Sequence, residues 1–385
     1  MLIRAQQLQN QMIQWRRDFH MHPELGFQEF RTSQKVAEVL TSFGYRVRTG
    51  VGKTGVVAEI GQGTPVVAIR ADMDALPILD AKEVPYQSQN EGIMHACGHD
   101  AHTAIALGTA RLLSQGEFNG TIRFLFQPAE EVQDEEGFSG APRMIEDGAI
   151  EGVDYVLALH VDAGIPTGKI MIDEFSAAGV DTVQATIFGK GGHGAMPHTT
   201  VDPVITSAHV ILSLNGIVSR RLWPFDPAVV TIGSIHGGQA ENVIPSEVTL
   251  GMSIRYLTDD VKEKIHQEIR RSLEIARTLG GDYQMDIQSG YPPAKNHPKI
   301  VAVVKQVVSD LLGPEALAEP QPEMGSEDFG YFARGIPGGM FMLGCRIEND
   351  VRRHHAPRFD IDEDCMPLGV AVMTESALHL LDQPT

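Results

Sequence analysis

Short apolar runs of strand length alternate with helical stretches, and this alternation limits the possible folds more than any other feature. The strand-like runs are residues 56–60, 66–69, 121–126 and 155–160, and the helical stretches between them are residues 103–113 and 141–147. Buried strands that alternate with helices are typical of a mostly parallel sheet with helices on both faces. We therefore predict an α/β fold.

The pattern changes near residue 175. From there to residue 289 the order is strand, helix, strand, strand, helix, strand, which is the ferredoxin-like α+β pattern of a small antiparallel sheet. After residues 290–293 the α/β pattern returns. A chain of 385 residues is long enough for two domains. We predict a discontinuous larger domain, residues 1–176 and 290–385, and a smaller domain, residues 177–289, inserted into it.

Charge and composition argue against several classes of function. The 50 acidic residues outnumber the 31 basic ones and give a net charge of −19, which disfavours nucleic acid and anionic membranes as partners. No apolar run approaches the roughly 18–20 residues that span a bilayer. The N-terminal segment has no signal-peptide core and reads as an amphipathic helix. Three scattered cysteines do not form a disulfide framework, so we expect a cytoplasmic protein.

Polar side chains follow the predicted strands of the larger domain. They are Asp72 and Asp74 after residues 66–69, Glu130 and Glu131 after residues 121–126, His160 at the end of residues 155–160, and His354 and His355 after residues 339–343. Taken singly, each is more easily explained as a solvated turn or a rim histidine. Because ligands of open α/β sheets bind beyond the carboxyl ends of the strands, the whole set predicts one functional cleft.

The segment from His95 to His102 concentrates potential metal ligands, with three histidines, a cysteine and an aspartate. If it is extended, Cys97 and His99 point to the same side and can grip one ion, with Gly98 allowing a tight turn. Thiolate and imidazole suit zinc and similar divalent ions. A surface loop and a cysteine–histidine nucleophile pair are the alternatives. Adjacent glutamates can supply both a metal ligand and a separate base, which favours the metal hypothesis.

These segments resemble the M20 metallopeptidase family, and within it the amidohydrolase branch of aminoacylase-like, hippurate and indoleacetyl-amino-acid hydrolases. The resemblance rests on IRADMDALPI (69–78), MHACGHDAHTA (94–104), FQPAEE (126–131), ALHV (158–161), GKGGHGAMPH (189–198), AENVIP (240–245), MGSEDFGYF (324–332) and HHAPRFDIDED (354–364). The motifs match in order from about residue 15 to the C-terminus.

The resemblance implies a catalytic domain that holds two divalent ions, with Mn, Zn, Co and Ni all compatible. The implied ligands are Cys97, His99, Glu131, His160 and His355, with Cys97 bridging the two ions. Glu130 matches the general base, and Asp74 matches the acid that orients a ligand. Asp72 stands where other branches place a metal-binding histidine, so we expect it to be a supporting residue. The His-x-Pro register favours His355 over His354.

The resemblance also implies that the inserted domain is a lid that forms a homodimer. His193 matches a histidine that polarises the scissile carbonyl and, in related enzymes, reaches the partner subunit's active site. Asn242 and Arg255 match substrate-binding positions, although a turn and an ion pair within the sheet would explain them structurally. Asp162-Ala163 depart from the aromatic residue and proline of many relatives. Glu327-Asp328 match a family loop and are candidates for a role near the metals, but we predict helix capping by Ser326 as the simpler explanation of this segment.

The predicted function is hydrolysis of the amide bond of an N-acyl amino acid by water that two metal ions activate, with Glu130 as the base. One alternative is a hydrolase that uses Cys97 as a nucleophile. Another is a binding module for a metal or metabolite without catalysis. An intact Glu130 disfavours the binding module, because a binder needs no base.

Overall fold

The computed structural model describes residues 1–320 and 323–382, which form two compact units. The first comprises residues 1–176, 294–320 and 331–382, and the second comprises residues 177–293 and 323–330. The second unit therefore reaches beyond the predicted limit of residue 289. Backbone hydrogen bonds explain the difference. Val180 N donates to Tyr291 O, and Val180 O accepts from Gly290 N. Ala178 N also donates to Gly325 O at 2.7 Å.

The helices and strands follow one another in this order. Up to residue 177 they are α1 (Leu2–Gln7), α2 (Gln9–Met21), α3 (Phe30–Ser42), β1 (Arg46–Val51), β2 (Gly55–Gln62), β3 (Val66–Asp72), α4 (His99–Leu113), β4 (Gly120–Gln127), α5 (Gly140–Glu146), β5 (Tyr155–Pro166), β6 (Ile170–Met171) and β7 (Phe175–Ala177). The next are β8 (Gly179–Phe188), β9 (Gly192–His193), α6 (Pro203–Arg220), β10 (Ala228–His236), β11 (Val243–Ile244), β12 (Glu247–Tyr256), α7 (Asp259–Thr278) and β13 (Asp282–Ser289). The last are β14 (Ala294–Lys295), α8 (Pro298–Leu312), α9 (Gly330–Gly335), β15 (Gly338–Arg346) and α10 (Met366–Leu381).

A seven-stranded sheet in the order β1-β2-β4-β3-β5-β15-β6 forms the centre of the first unit. The four neighbouring strands β4, β3, β5 and β15 are parallel, whereas β1, β2 and β6 pair antiparallel. The prediction of a mostly parallel central sheet is thus confirmed. Every residue of β3 is buried, as expected for a strand covered on both faces. The carboxyl ends of β3 and β4 lie side by side, with Asp72 opposite Gln127.

Strand β5 is longer than predicted. It continues past His160 to Pro166, because β15 runs parallel beside it and pairs Met342 with His160 and Gly344 with Asp162. The prediction that His160 ends its strand was wrong. The alternation of apolar and polar residues after His160 does not by itself distinguish a strand from a loop, and the partner strand decides the matter.

The second unit contains a four-stranded antiparallel sheet in the order β10-β12-β8-β13. Helices α6 and α7 contact this sheet and each other. Their buried side chains, including Leu214 and Leu273, join those of β8 and β12 in a separate hydrophobic core. Strand β10 lies at one edge of the sheet.

No helix within residues 1–320 and 323–382 is long and apolar enough to cross a membrane. The N-terminal segment forms two helices, α1 and α2, which meet at Leu8. Met12 and Phe19 of α2 are fully buried in the core of the first unit. Packing of this face stabilises the segment, since short helices are marginal on their own.

Candidate metal centre

Cys97 and His99 lie at the start of α4, on either side of Gly98. Gly98 has a φ of +101°, and the helix begins at His99, so the prediction of an extended segment was wrong. A left-handed conformation is unfavourable for residues with a Cβ atom. A Cβ atom on Gly98 would also lie 2.3 Å from Val161 Cγ2. Glycine is therefore required here both by backbone conformation and by close packing against β5.

One group of candidate ligands consists of Cys97, His99 and His160, whose ligand atoms all lie within 4.8 Å of one another. Cys97 Sγ lies 3.5 Å from His160 Nε2. His160 Nδ1 donates a hydrogen bond to Val161 O at 2.7 Å, so the lone pair of a neutral ring is on Nε2, which faces the thiol. His99 Nδ1 donates to the backbone and side chain of Asp74, at 3.0 and 3.1 Å. In its neutral form each ring presents Nε2 as a lone-pair donor; against the effect of burial, Asp72 and Asp74 raise the pKa of His99 above its ordinary value, so this nitrogen becomes a ligand when it gives up a proton.

A second group consists of Cys97, Glu131 and His355, within the same limit of 4.8 Å. His355 Nε2 lies 3.0 Å from Glu131 Oε1. The His355 backbone is left-handed, with a φ of +57°, and its N–H donates to Ala96 O at 2.8 Å. Cys97 belongs to both groups. A single thiol thus stands between two sets of donors, which is the arrangement that a bridging ligand needs.

The donor set fits divalent ions. Thiolate, imidazole and carboxylate are the ligand types of zinc and of other borderline divalent ions. His99 Nε2 is buried and has no hydrogen-bond partner within residues 1–320 and 323–382. The Asp72 carboxylate, whose Oδ2 lies 3.8 Å from this nitrogen, favours positive charge there, and a bound cation would satisfy the buried Nε2.

The electrostatics of the second group also favour a cation. Hydrogen bonds with Cys97 and Glu131 raise the pKa of His355 to about 10. Burial alone would raise the pKa of Glu131, but the hydrogen bond with His355 holds that pKa below its ordinary value. Burial raises the pKa of the Cys97 thiol. Metal binding would displace protons from the thiol and the imidazole, as it does wherever such ligands coordinate.

Glu130 is buried beside these ligands. It forms a compact group with His99 and Glu131, again with all ligand atoms within 4.8 Å. Ala129, which precedes it, has a left-handed backbone with a φ of +46°. This bend follows the end of β4 and directs two successive carboxylates into the same region. Glu130 therefore lies close enough to the ligands to exchange a proton with a molecule held there.

Asp72 contacts a histidine to which sequence reasoning assigned no role. Asp72 Oδ1 accepts a hydrogen bond from His102 Nδ1 at 2.6 Å, and His102 Nε2 accepts one from Val161 N at 2.9 Å. The backbone next to His160 is thus held by a neutral imidazole, whose pKa burial lowers to about 4. Arg70 pairs with the other oxygen of Asp72 at 2.5 Å. The spacing of His99 and His102 on α4 was the only signal in the sequence.

His354 uses both ring nitrogens for structure. Its Nε2 accepts a hydrogen bond from Ala163 N at 3.1 Å, and its Nδ1 donates to Cys97 O at 3.2 Å. Burial lowers the pKa of His354 to about 3, so the ring is neutral. His354 therefore links the segment after His160 to the segment that contains Cys97 through two hydrogen bonds. Asp162, in the same segment, accepts a hydrogen bond from Gly164 N at 2.6 Å.

The remaining predicted site residues belong to the second unit. His193 is exposed on β9 and pairs with Val243 on β11, and its Nδ1 accepts a hydrogen bond from Ala195 N at 3.0 Å. The proton of a neutral ring is then on Nε2. Asn242 is exposed, and its backbone carbonyl accepts a hydrogen bond from Gly194 N at 2.8 Å. Arg255 donates to Met324 O at 2.7 Å.

Capping by Ser326 was a wrong prediction. Helix α9 begins at Gly330, beyond reach of a cap at Ser326, and Glu327 Oε1 instead accepts a hydrogen bond from Phe329 N at 3.0 Å. Turn formation by a nearby acidic side chain replaces the expected helix cap.

Comparisons with known proteins agree on one family. Residues 68–379 match the model of peptidase family M20/M25/M40. An IAA-amino acid hydrolase (ILR1-like 2) of Arabidopsis thaliana is 40% identical, over 97% of this chain and 85% of the relative. The N-acetyl-L-cysteine deacetylase of Bacillus subtilis is 37% identical, over 97% of this chain and 89% of the relative. The crystal structure of the Bacillus subtilis YXEP protein, described as a dinuclear metal binding peptidase from the M20 family, has a TM-score of 0.86 with 31% identity and covers 98% of this chain and 100% of that chain.

Proposed function

From the premise that the chain belongs to peptidase family M20/M25/M40 and hydrolyses amide bonds, we propose that it cleaves N-acyl amino acids with two divalent ions. The observation that carries the proposal is the position of Cys97 in both groups of candidate ligands. We assign one ion to Cys97, His99 and His160 and the other to Cys97, Glu131 and His355. The names of two relatives, one a hydrolase of IAA-amino acids and the other a deacetylase of N-acetyl-L-cysteine, support the substrate class.

When bound, two divalent ions would supply Lewis acidity that polarises an amide carbonyl and lowers the pKa of a bound water to about 7. Glu130 accepts a proton from the attacking water and returns it to the leaving amine. Asp74 keeps His99 in the tautomer with a free Nε2. His193 donates from Nε2 to the carbonyl oxygen as negative charge develops on it, and Asn242 and Arg255 bind the substrate, Arg255 through a free carboxylate.

We further propose that the second unit acts as a lid and joins two copies of the chain. Helix α6 exposes large apolar side chains, with Ile205 58% and Leu212 72% exposed. Strand β10 is an edge strand in the same unit, and its Ile235 is 52% exposed. An edge strand in a unit that also exposes large apolar side chains favours pairing with another chain. In such a homodimer, His193 of each copy serves the metal centre of the other.

The competing function is a hydrolase with Cys97 as its nucleophile. Burial raises the pKa of Cys97, which disfavours the thiolate unless a cation is present. The third possibility, a binding module, leaves the buried Glu130 without a role.

Chelation followed by add-back of metal separates the three functions. We expect activity on a panel of acetyl-, benzoyl- and indoleacetyl-amino acids to disappear with a chelator and to return with Mn²⁺, Zn²⁺, Co²⁺ or Ni²⁺. Activity that survives chelation and is abolished by alkylation would support the cysteine nucleophile instead. Metal binding without hydrolysis of any panel member would support the binding module.

A further inference from the structure

Ala129 is held in a conformation that an alanine seldom adopts. Its φ is +46°, and its side chain is fully buried at the turn that follows β4. The left-handed region is unfavourable for a residue with a Cβ atom, so neighbouring groups must stabilise this turn. The turn matters because Glu130 and Glu131 come directly after it.

A buried carboxylate supplies that stabilisation. Glu29 is 0% exposed, and its Oε1 accepts a hydrogen bond from Ala129 N at 2.8 Å. Its Oε2 accepts one from Thr54 Oγ1 at 2.5 Å. Both oxygens of the carboxylate are therefore engaged, one of them by the left-handed residue itself.

Helix capping does not explain Glu29. The residue occupies the N-cap position of α3, where an acidic side chain usually accepts hydrogen bonds from the first turn. Its side chain makes no such bond. Glu24 performs that task instead, because its carboxylate accepts the backbone N–H groups of Arg31 at 3.0 Å and Thr32 at 2.8 Å. The carboxylate of Glu29 is directed to the turn rather than to its own helix.

The surrounding chain is shaped for this contact. A Cβ atom on Gly26 would lie 2.4 Å from Val132 Cγ2 and 3.0 Å from Ala129 Cβ, so the segment before Glu29 can approach the turn only with glycine there. On the other side, Gly140 N donates to Ala129 O at 2.9 Å. Both the N–H and the carbonyl of Ala129 are thus fixed.

A second buried carboxylate binds the backbone two residues after Ala129. Asp74 Oδ2 accepts a hydrogen bond from Glu131 N at 2.9 Å. The backbone N–H groups of Ala129 and Glu131 are therefore each bound by a buried acid, and Glu130 lies between the two fixed points. Displacement of a reacting group by about 1 Å can lower a rate by about 100-fold, so such anchoring affects chemistry.

We infer that Glu29 is a positioning residue that fixes the Ala129 turn and thereby aims Glu130 and Glu131. This inference rests on the proposed function, in which Glu131 is a metal ligand and Glu130 is the base. Glu29 acts through the backbone of Ala129 and belongs to none of the groups of candidate metal ligands among the described residues.

The test compares Glu29→Ala with Glu29→Gln. Mn²⁺ affinity is measured by calorimetric titration of the chelator-stripped protein, and kcat and KM are measured on a substrate from the acyl-amino-acid panel. We expect Glu29→Ala to weaken Mn²⁺ binding and to lower kcat, each by about 10- to 100-fold, with KM little changed. Glu29→Gln keeps an oxygen acceptor for Ala129 N and can donate to Thr54, so it should restore most of both. A glutamine variant as damaged as the alanine variant would contradict positioning by this hydrogen bond.

Glu24→Ala is the matched control. It removes a carboxylate that accepts two backbone N–H groups on the same segment, whereas the N–H of Ala129 bonds to Glu29 and not to Glu24. We expect a lower midpoint of thermal unfolding with unchanged Mn²⁺ affinity. If Glu29→Ala and Glu24→Ala behave alike in Mn²⁺ affinity and kcat, Glu29 has only a structural role and the inference is wrong.

Two further variants complete the design. Glu29→Asp keeps the carboxyl group but is one methylene shorter, and it replaces Glu29→Ala if that variant does not fold. Normal Mn²⁺ affinity in Glu29→Asp would overturn the inference. Glu131→Ala distinguishes a failure of the role of Glu29 from a failure of the proposed function. If it weakens Mn²⁺ binding as proposed while Glu29 variants do not, only the role of Glu29 fails. If Glu131→Ala leaves Mn²⁺ binding unchanged, both the proposed function and the role of Glu29 are wrong.

Discussion

Asp74 holds the backbone of Glu131, with 2.9 Å between Asp74 Oδ2 and Glu131 N. The other oxygen of the same carboxylate lies 3.1 Å from His99 Nδ1. One acid from the turn after β3 therefore fixes a candidate ligand of each ion, through a ring in one case and a peptide in the other. Partners of this kind set the tautomer and the orientation of metal ligands.

Replacing Glu130 with glutamine should separate binding from chemistry. Glu130→Gln keeps the size of the side chain but cannot take a proton, so we expect turnover to fall by about 10²- to 10⁴-fold. Metal content, measured by elemental analysis, should stay the same. Glu135→Gln, at an exposed position of the same loop, is the control and should retain full activity. Unchanged turnover in Glu130→Gln would exclude this residue as the base.

Cys97 should matter for both ions, whereas each histidine should matter for one. We expect Cys97→Ala to weaken both binding steps in a Mn²⁺ or Zn²⁺ titration, because its thiol belongs to both groups of ligands. His160→Ala and His355→Ala should each weaken a single step. Cys365→Ala, which removes another buried cysteine, is the control. Loss of only one step in Cys97→Ala would argue against a bridging thiolate.

Acid should destabilise the chelator-stripped protein through His102. Its pKa is lowered to about 4 in the folded state by burial, so the unfolded chain, with an ordinary pKa near 6.5, binds the proton first. The free energy of unfolding then decreases as the pH falls from about 6.5 to about 4, by at most about 1.4 kcal/mol per pH unit for this residue. Urea unfolding at a series of pH values measures the slope.

His102→Gln provides the comparison for that slope. Glutamine does not titrate in this range, so we expect a smaller loss of stability on acidification than in the unchanged protein. Equal slopes would mean that His102 is not protonated on unfolding. His354, whose pKa is lowered to about 3 by burial, contributes in the same direction and remains in both proteins.

A charge on α6 should prevent association of two copies. Leu212 is 72% exposed, and Leu212→Glu would place a carboxylate in the proposed contact at a high desolvation cost. We expect light scattering to show a dimer for the unchanged protein and a monomer for the variant. Turnover should fall by about 10²- to 10³-fold if His193 acts in the other copy.

Ile3→Glu is the matched control for this substitution, because Ile3 is 73% exposed and lies in the first unit. It should leave both the dimer and the activity intact. A monomeric Leu212→Glu protein with full activity would refute the role of His193 across the dimer. A monomer in the unchanged protein would refute the dimer itself.

The sequence by itself determined the class of fold and the chemistry of the ligands. Alternation of apolar runs and helical stretches predicts a mostly parallel sheet because burial on both faces requires continuous apolar strands. The cluster from His95 to His102 and the adjacent glutamates indicate a metal site because these side chains suit divalent ions. The resemblance selected Glu131 and His355 as ligands.

Only the tertiary structure decided how these residues meet. Cys97 joins two groups of ligands because Gly98 turns the chain into α4 and β5 passes His160 on its way to Pro166. His354 has a structural role because its two ring nitrogens form hydrogen bonds with the backbone of Ala163 and Cys97. Glu29 contacts a turn that is far away in sequence, and no local pattern identifies such a contact. Local periodicity reports which face of an element is buried, whereas partners across long sequence separations depend on the packing of the whole fold.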